Sequence, residues 1–112
     1  MKEITAEELQ EMQQSGPDVD LINVLSDKQF RAKHLPDSYN VPVGLDNFPQ
    51  VVETKAGGKN KPIVVYCASP ECDASEQAAQ KLEDAGFANV YDFVGGIKEW
   101  VEKGNALEGE RA

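Results

Sequence analysis

The chain has two cysteines, Cys67 and Cys72, and both lie in the stretch from Ile63 to Ser75. Cys67 follows Ile63, Val64, Val65 and Tyr66, a β-branched and aromatic run suited to a buried strand. Ala68, Ser69, Pro70, Glu71 and Cys72 then read as a loop. Asp73, Ala74, Ser75 and Glu76 offer a capping box that would start a helix. A cysteine between a strand end and a helix start sits where backbone N–H groups converge. The helix start adds unsatisfied donors and a partial positive charge. Such donors favour thiolate over thiol and can hold an anion beside it. The expected chemistry is nucleophilic attack on sulfur, phosphorus or arsenic through a covalent intermediate on the cysteine.

Composition narrows the setting. One hundred and twelve residues with 40% apolar content suit one globular domain, residues 1–112, with a core of its own. A formal charge of −9 disfavours nucleic acid and anionic membrane surfaces, both of which reward clustered Lys and Arg. No apolar run is long enough to span a bilayer and no basic-then-apolar leader opens the chain, so a cytoplasmic location is expected. Two cysteines this close would close only a tiny loop and make a poor extracellular staple. With one distant histidine, His34, they lack the usual spacing of a metal site.

The elements that must position the cysteines follow from periodicity and breakers. Thr5 to Glu8 forms a capping box for a helix with Leu9 and Met12 on one face, ended by Ser15, Gly16 and Pro17. Residues 20–25 form an apolar run expected as a buried parallel strand, and Ser26 caps a brief helix through Phe30 and Ala32. Pro36 turns the chain into a short strand over residues 39–42, placed near a sheet edge. Residues 44–54 have near-helical spacing around Pro49, and a solvated loop over residues 55–61 leads to the strand before Cys67. The next helix presents Ala78, Ala79, Leu82 and Ala85, with Gly86 as its cap. A strand over residues 89–92 and a closing helix with Ile97, Trp100 and Val101 inward complete the core, and a loose polar tail begins at Gly104. Strands alternating with helices imply a mainly parallel sheet, and ligands in such sheets sit beyond the carboxyl ends of the strands, where Cys67 falls.

The pattern resembles the rhodanese-like family. Leu21 to Leu25, Gln29-Phe30 and the stretch from His34 to Pro42 look like its first block. Ile63 to Cys67 with Ser75, Ala78, Ala79, Leu82 and Gly86 look like its active-site block. Val90-Tyr91 and Val94 to Ile97 with Trp100 look like its closing block. The resemblance implies an α/β fold with a central, mainly parallel five-stranded sheet and helices on both faces. It also implies a sulfurtransferase with a persulfide on Cys67, a small sulfur donor or a protein persulfide or thiol acceptor as partner, and no metal or organic cofactor.

Three departures qualify the match. The first block usually reads Leu-Ile-Asp-Val-Arg, whereas this chain has Asn23 and Leu25. The active loop often carries Arg or Lys five or six positions past the nucleophile, where this chain has Cys72 and Asp73. The loop from Cys67 to Ser75 is also longer than the short sulfurtransferase loop and approaches that of phosphatase and arsenate-reductase relatives. Phosphate chemistry wants an Arg fork that the loop lacks, and Glu71 and Asp73 would repel a dianion.

The expected site is therefore Cys67 as nucleophile, lined by Ala68, Ser69, Pro70, Glu71, Asp73, Ala74 and Ser75. Two alternatives stand beside it. Cys72 would act as a resolving thiol in a thiol-redox or arsenate-reductase-like protein, or the fold would be a catalytically silent, acidic interaction module.

Overall fold

The computed structural model describes residues 1–16 and 18–109. Five parallel strands form one sheet: β1 (Lys2–Ile4), β2 (Asp20–Asn23), β3 (Ser38–Asn40), β4 (Ile63–Tyr66) and β5 (Val90–Phe93), in the order β1-β5-β4-β2-β3. The strand that carries Cys67 is thus the central one. Its neighbours are β2, with Asn23 beside Tyr66, and β5, with Asp92 beside Val65.

Because side chains alternate across a strand, β4 feeds two cores. Ile63, Val65 and Cys67 point to one face, where α3 (Phe48–Ala56) and α4 (Ala74–Asp84) supply Phe48, Val52, Ala78, Ala79 and Leu82. Val64 and Tyr66 point to the other face. There α1 (Ala6–Ser15) supplies Ala6 and Leu9, and α5 (Gly96–Glu102) supplies Ile97 and Trp100. The short α2 (Asp27–Ala32) buries none of its residues.

The caps at Thr5 and Ser26 form as the sequence implies, each with a reciprocal side-chain bond. The cap expected at Asp73 does not. Asp73 ends the loop at φ −93, ψ 4 rather than in an extended conformation, and its side chain makes no cap bond. The edge strand β3 lies at residues 38–40 rather than 39–42 and pairs with β2 alone. The opening strand β1 escapes the sequence pattern because Lys2 and Glu3 are exposed and only Ile4 is buried. Val101 is 49% exposed, not inward, since Ile97 and Trp100 already occupy the buried stripe of α5. Residues 105–108 are tied down rather than loose. Trp100 Nε1 donates to the Ala106 carbonyl at 2.9 Å, and His34 and Glu108 exchange backbone bonds at 2.8 and 2.9 Å. Pro17, half of the predicted break after α1, lies outside the described residues, as do residues 110–112 of the tail.

Candidate active site

Cys67 leaves β4 with its side chain fully buried against the α4 face. Its carbonyl is fixed from the far side by the start of α5: Ile97 N–H donates to it at 3.1 Å, and Lys98 N–H donates to the Ala68 carbonyl at 2.9 Å. Gly96 makes that clamp possible. It adopts φ +59, and a Cβ there would stand 2.2 Å from the Cys67 carbonyl oxygen, so only glycine fits. The Gly95-Gly96 pair therefore shapes the floor of the loop.

From Ala68 the loop turns outward. Ser69, Pro70 and Glu71 form a turn closed by the Cys72 N–H donating to the Ser69 carbonyl at 3.0 Å, and Pro70, Glu71 and Asp73 are exposed. Ala74 packs on the core under α4. The loop thus brings Cys67, Cys72 and Ser75 together and sends the other expected lining residues to solvent, to α5 or into the core. The Cys67 thiol donates to the Cys72 carbonyl at 3.3 Å, and its sulfur lies 3.6 Å from the Ser75 hydroxyl. Cys72 is half-buried, and both thiols are free.

Electrostatically this differs from the donor-rich cradle that the sequence suggests. Burial, followed by the neighbouring Cys72 thiol, pushes the Cys67 thiol above its ordinary 9.0, and the N–H and hydroxyl of Ser75 pull the other way. The net direction favours the thiol over the thiolate. Among the loop donors, the Ser75 N–H and hydroxyl act on the Cys67 sulfur, and the Cys72 N–H is engaged by the Ser69 carbonyl. Glu71 is less of an opponent than its charge implies. Its own backbone N–H, the Ser69 hydroxyl and the Lys98 ammonium hold its carboxyl below the usual carboxylate range. The Ser69 hydroxyl is therefore turned to Glu71 and not to the sulfur.

The positions where the family carries charge are filled by a neutral network. Asn23 Nδ2 donates to the Tyr66 hydroxyl at 3.2 Å, and Asn23 Oδ1 accepts from the Leu25 N–H at 2.9 Å. His34 is structural as well: its ring stacks on Phe30, and Nδ1 lies 2.8 Å from the Phe30 carbonyl. Among the described residues no group of His, Cys, Asp and Glu is arranged to hold a metal ion, and no helix is long and apolar enough to cross a membrane.

One residue at the site was missed from sequence. Asp92 on β5 is 2% exposed, lies under Ser75 and carries a buried oxygen, Oδ1, with no hydrogen-bond partner among the described residues. Its signal was present: a carboxylate between Tyr91 and Phe93, in a strand read as core, has to be accounted for.

Comparison with known proteins agrees with this geometry. The Rhodanese-like domain family model matches residues 5–103. Thiosulfate sulfurtransferase GlpE of Pseudomonas syringae pv. syringae (strain B728a) is 32% identical over 99 residues, which cover 88% of this chain and 86% of that protein. Adenylyltransferase and sulfurtransferase MOCS3-2 of Zea mays is 28% identical over 100 residues, 87% of this chain; the match spans only 20% of that longer protein. The solution structure of a rhodanese-like domain from Anabaena sp superimposes with a TM-score of 0.82 at 22% identity, over 98% of this chain and 80% of that one. The crystal structure of a rhodanese-like domain protein from Staphylococcus aureus does so at 0.76 and 24%, over 99% and 100%. The five-stranded parallel sheet, the cysteine at the end of its central strand and the span of the family match place this chain in the rhodanese-like domain family.

Proposed function

We propose that the chain is a sulfurtransferase that carries sulfane sulfur as a persulfide on Cys67. The observation behind it is the place of Cys67, at the C-terminal end of the central strand with α4 beginning at its sulfur. The relative named thiosulfate sulfurtransferase, matched across most of both chains, supports the same reaction class. In the first half-reaction the Cys67 thiolate attacks the outer sulfur of the donor. The donor's S–S bond breaks and its electron pair leaves with sulfite, or with a thiolate when the donor is a persulfide. In the second, an acceptor thiolate attacks the outer sulfur on Cys67 and regenerates the Cys67 thiolate. Residues 68–75 contain no Lys or Arg, and Glu71 and Asp73 edge the loop, so a thiol-borne persulfide suits the site better than the thiosulfate dianion.

The bond of the Cys67 thiol to the Cys72 carbonyl at 3.3 Å keeps Cys72 beside Cys67 and favours a second step on the same persulfide. The Cys72 thiolate attacks the inner sulfur, forming a Cys67–Cys72 disulfide and expelling hydrosulfide with the electron pair. Intact mass after incubation with thiosulfate or with glutathione persulfide tests both ideas. Wild type is expected to gain one sulfur atom and Cys67→Ser none. A gain that survives in Cys67→Ser removes Cys67 from the role. No gain in wild type with either donor leaves the silent interaction module. Cys72→Ser is expected to hold the added sulfur longer than wild type, and equal lifetimes would rule out the resolving step.

A further inference from the structure

Three buried groups line up beneath the loop. Cys67 ends β4, Ser75 lies in the first turn of α4, and Asp92 is on β5, next to β4 in the sheet. All three are at most 2% exposed. The Cys67 sulfur is 3.6 Å from Ser75 Oγ, and the Ser75 hydroxyl lies on the Asp92 side, where it opposes the rise of the Asp92 pKa. Asp92 Oδ1 has no hydrogen-bond partner among the described residues.

A buried carboxylate oxygen without a partner is costly, and a core strand has no structural need for one. Valine or asparagine would fill the same place. The resting thiol of Cys67, for its part, needs a base before it can act. Ser75 joins the two needs because a hydroxyl accepts one hydrogen bond while donating another.

We propose that Asp92 takes up the Cys67 proton through the Ser75 hydroxyl when the thiol is activated, and returns it when the thiol is restored. The Cys67 S–H bond breaks as its proton passes to Ser75 Oγ, while the Ser75 proton passes to the Asp92 carboxylate. Ser75 ends as it began, the negative charge moves from carboxylate to sulfur, and nothing is oxidised or reduced. The exchange keeps one negative charge in the buried group instead of two, which suits a loop with no cation of its own. It also gives the unpartnered carboxylate the proton that burial favours. Asp92 is pushed above the ordinary 3.8 by burial, a trend opposed by the Ser75 hydroxyl and reinforced by Glu3 across the β1–β5 register and by Glu76 in the first turn of α4. The groups around it are thus Ser75, Glu3 and Glu76, with the thiols of Cys67 and Cys72 beyond Ser75.

The relay rests on Cys67 as the reactive thiol, and its test requires no sulfur transfer. The rate of Cys67 alkylation by iodoacetamide is followed by mass across pH, in a Cys72→Ser background where Cys67 is the one thiol. Asp92→Asn keeps the shape and removes the base, and Ser75→Ala removes the link. At neutral pH each is expected to slow alkylation by at least about tenfold, near or below the low end of what a positioned base contributes. The rise of rate with pH is expected to move upward, and the double variant to be no slower than either single one. A bystander charge predicts the opposite sign, because losing a nearby anion eases thiolate formation. Alkylation that is unchanged or faster in folded Asp92→Asn overturns the relay. If Asp92→Asn fails to fold, Ser75→Ala alone decides, and an unchanged profile there overturns it equally.

Discussion

Tyr66 and Cys67 are consecutive residues, yet they head two buried polar clusters with opposite logic, one on each face of the sheet. On the α1/α5 face the Tyr66 oxygen accepts from Asn23 Nδ2 at 3.2 Å and from the Leu35 N–H at 3.0 Å. Since Ser38 Oγ donates to the Leu35 carbonyl at 2.6 Å, the phenol proton goes to Ser38, 2.8 Å away. Each polar side-chain atom of that cluster has a partner. On the α3/α4 face the Cys67 thiol has two competing acceptors, the Cys72 carbonyl and Ser75 Oγ, and the Asp92 carboxylate is left one partner short. A closed network holds a fold in one arrangement. An open one keeps a proton and a charge available to move, and this difference separates a structural cluster from a reactive one.

The largest expected effect comes from breaking the element that serves the reactive cluster from below. Gly96→Ala places a methyl group against the Cys67 carbonyl in a backbone conformation that favours glycine. Strain and displacement of a fixed backbone together are expected to cost about 2–4 kcal/mol of unfolding free energy. Denaturant melts measure that cost. Alkylation kinetics should show Cys67 more exposed, because the Ile97 and Lys98 bonds to the loop base are lost with the clamp.

Tyr66→Phe tests the closed cluster. It strips the shared acceptor from Asn23 and from the Leu35 N–H and leaves both donors buried. The expected loss is about 1–3 kcal/mol, with the Cys67 alkylation profile unmoved. A profile that shifts would mean that the two faces communicate, and the contrast between them would fail.

The sequence disclosed the architecture more fully than the site, for a physical reason. Apolar runs such as Ile63 to Tyr66 and caps such as Thr5–Glu8 are local signals, and they recovered four strands, the order of elements and the position of Cys67. The strand β1 was illegible because an edge strand with one buried residue leaves almost no pattern. The direction of the loop was also illegible. Nothing local says that Ser69 would turn to Glu71 while Ser75 turns inward, since that depends on Lys98 arriving from α5 and Asp92 from β5. In sequence Ser75 stands within the expected capping box and among the residues lining the loop. Its place between sulfur and carboxylate is a long-range fact that only the packed sheet creates.

The smallest expected effect probes the open cluster through stability alone. The folded protein holds the Asp92 proton more tightly than the unfolded chain, because burial raises its pKa above 3.8. Well below that value both states are protonated and the carboxyl favours neither. As pH climbs, the unfolded chain releases its proton first, so this group's contribution falls until the folded value is passed and then stays low. Asp92→Asn lacks the titration, and its neutral amide is less costly to bury than a carboxylate short of a partner. The variant should therefore melt higher than wild type near neutral pH, with the gap narrowing towards about pH 4. It should do so while its Cys67 reacts more slowly, the pairing of gained stability and lost reactivity expected where a fold tolerates an unfavourable group for its chemistry. A variant less stable than wild type at neutral pH would mean that Asp92 is a satisfied structural residue, and the two clusters would then differ in composition but not in kind.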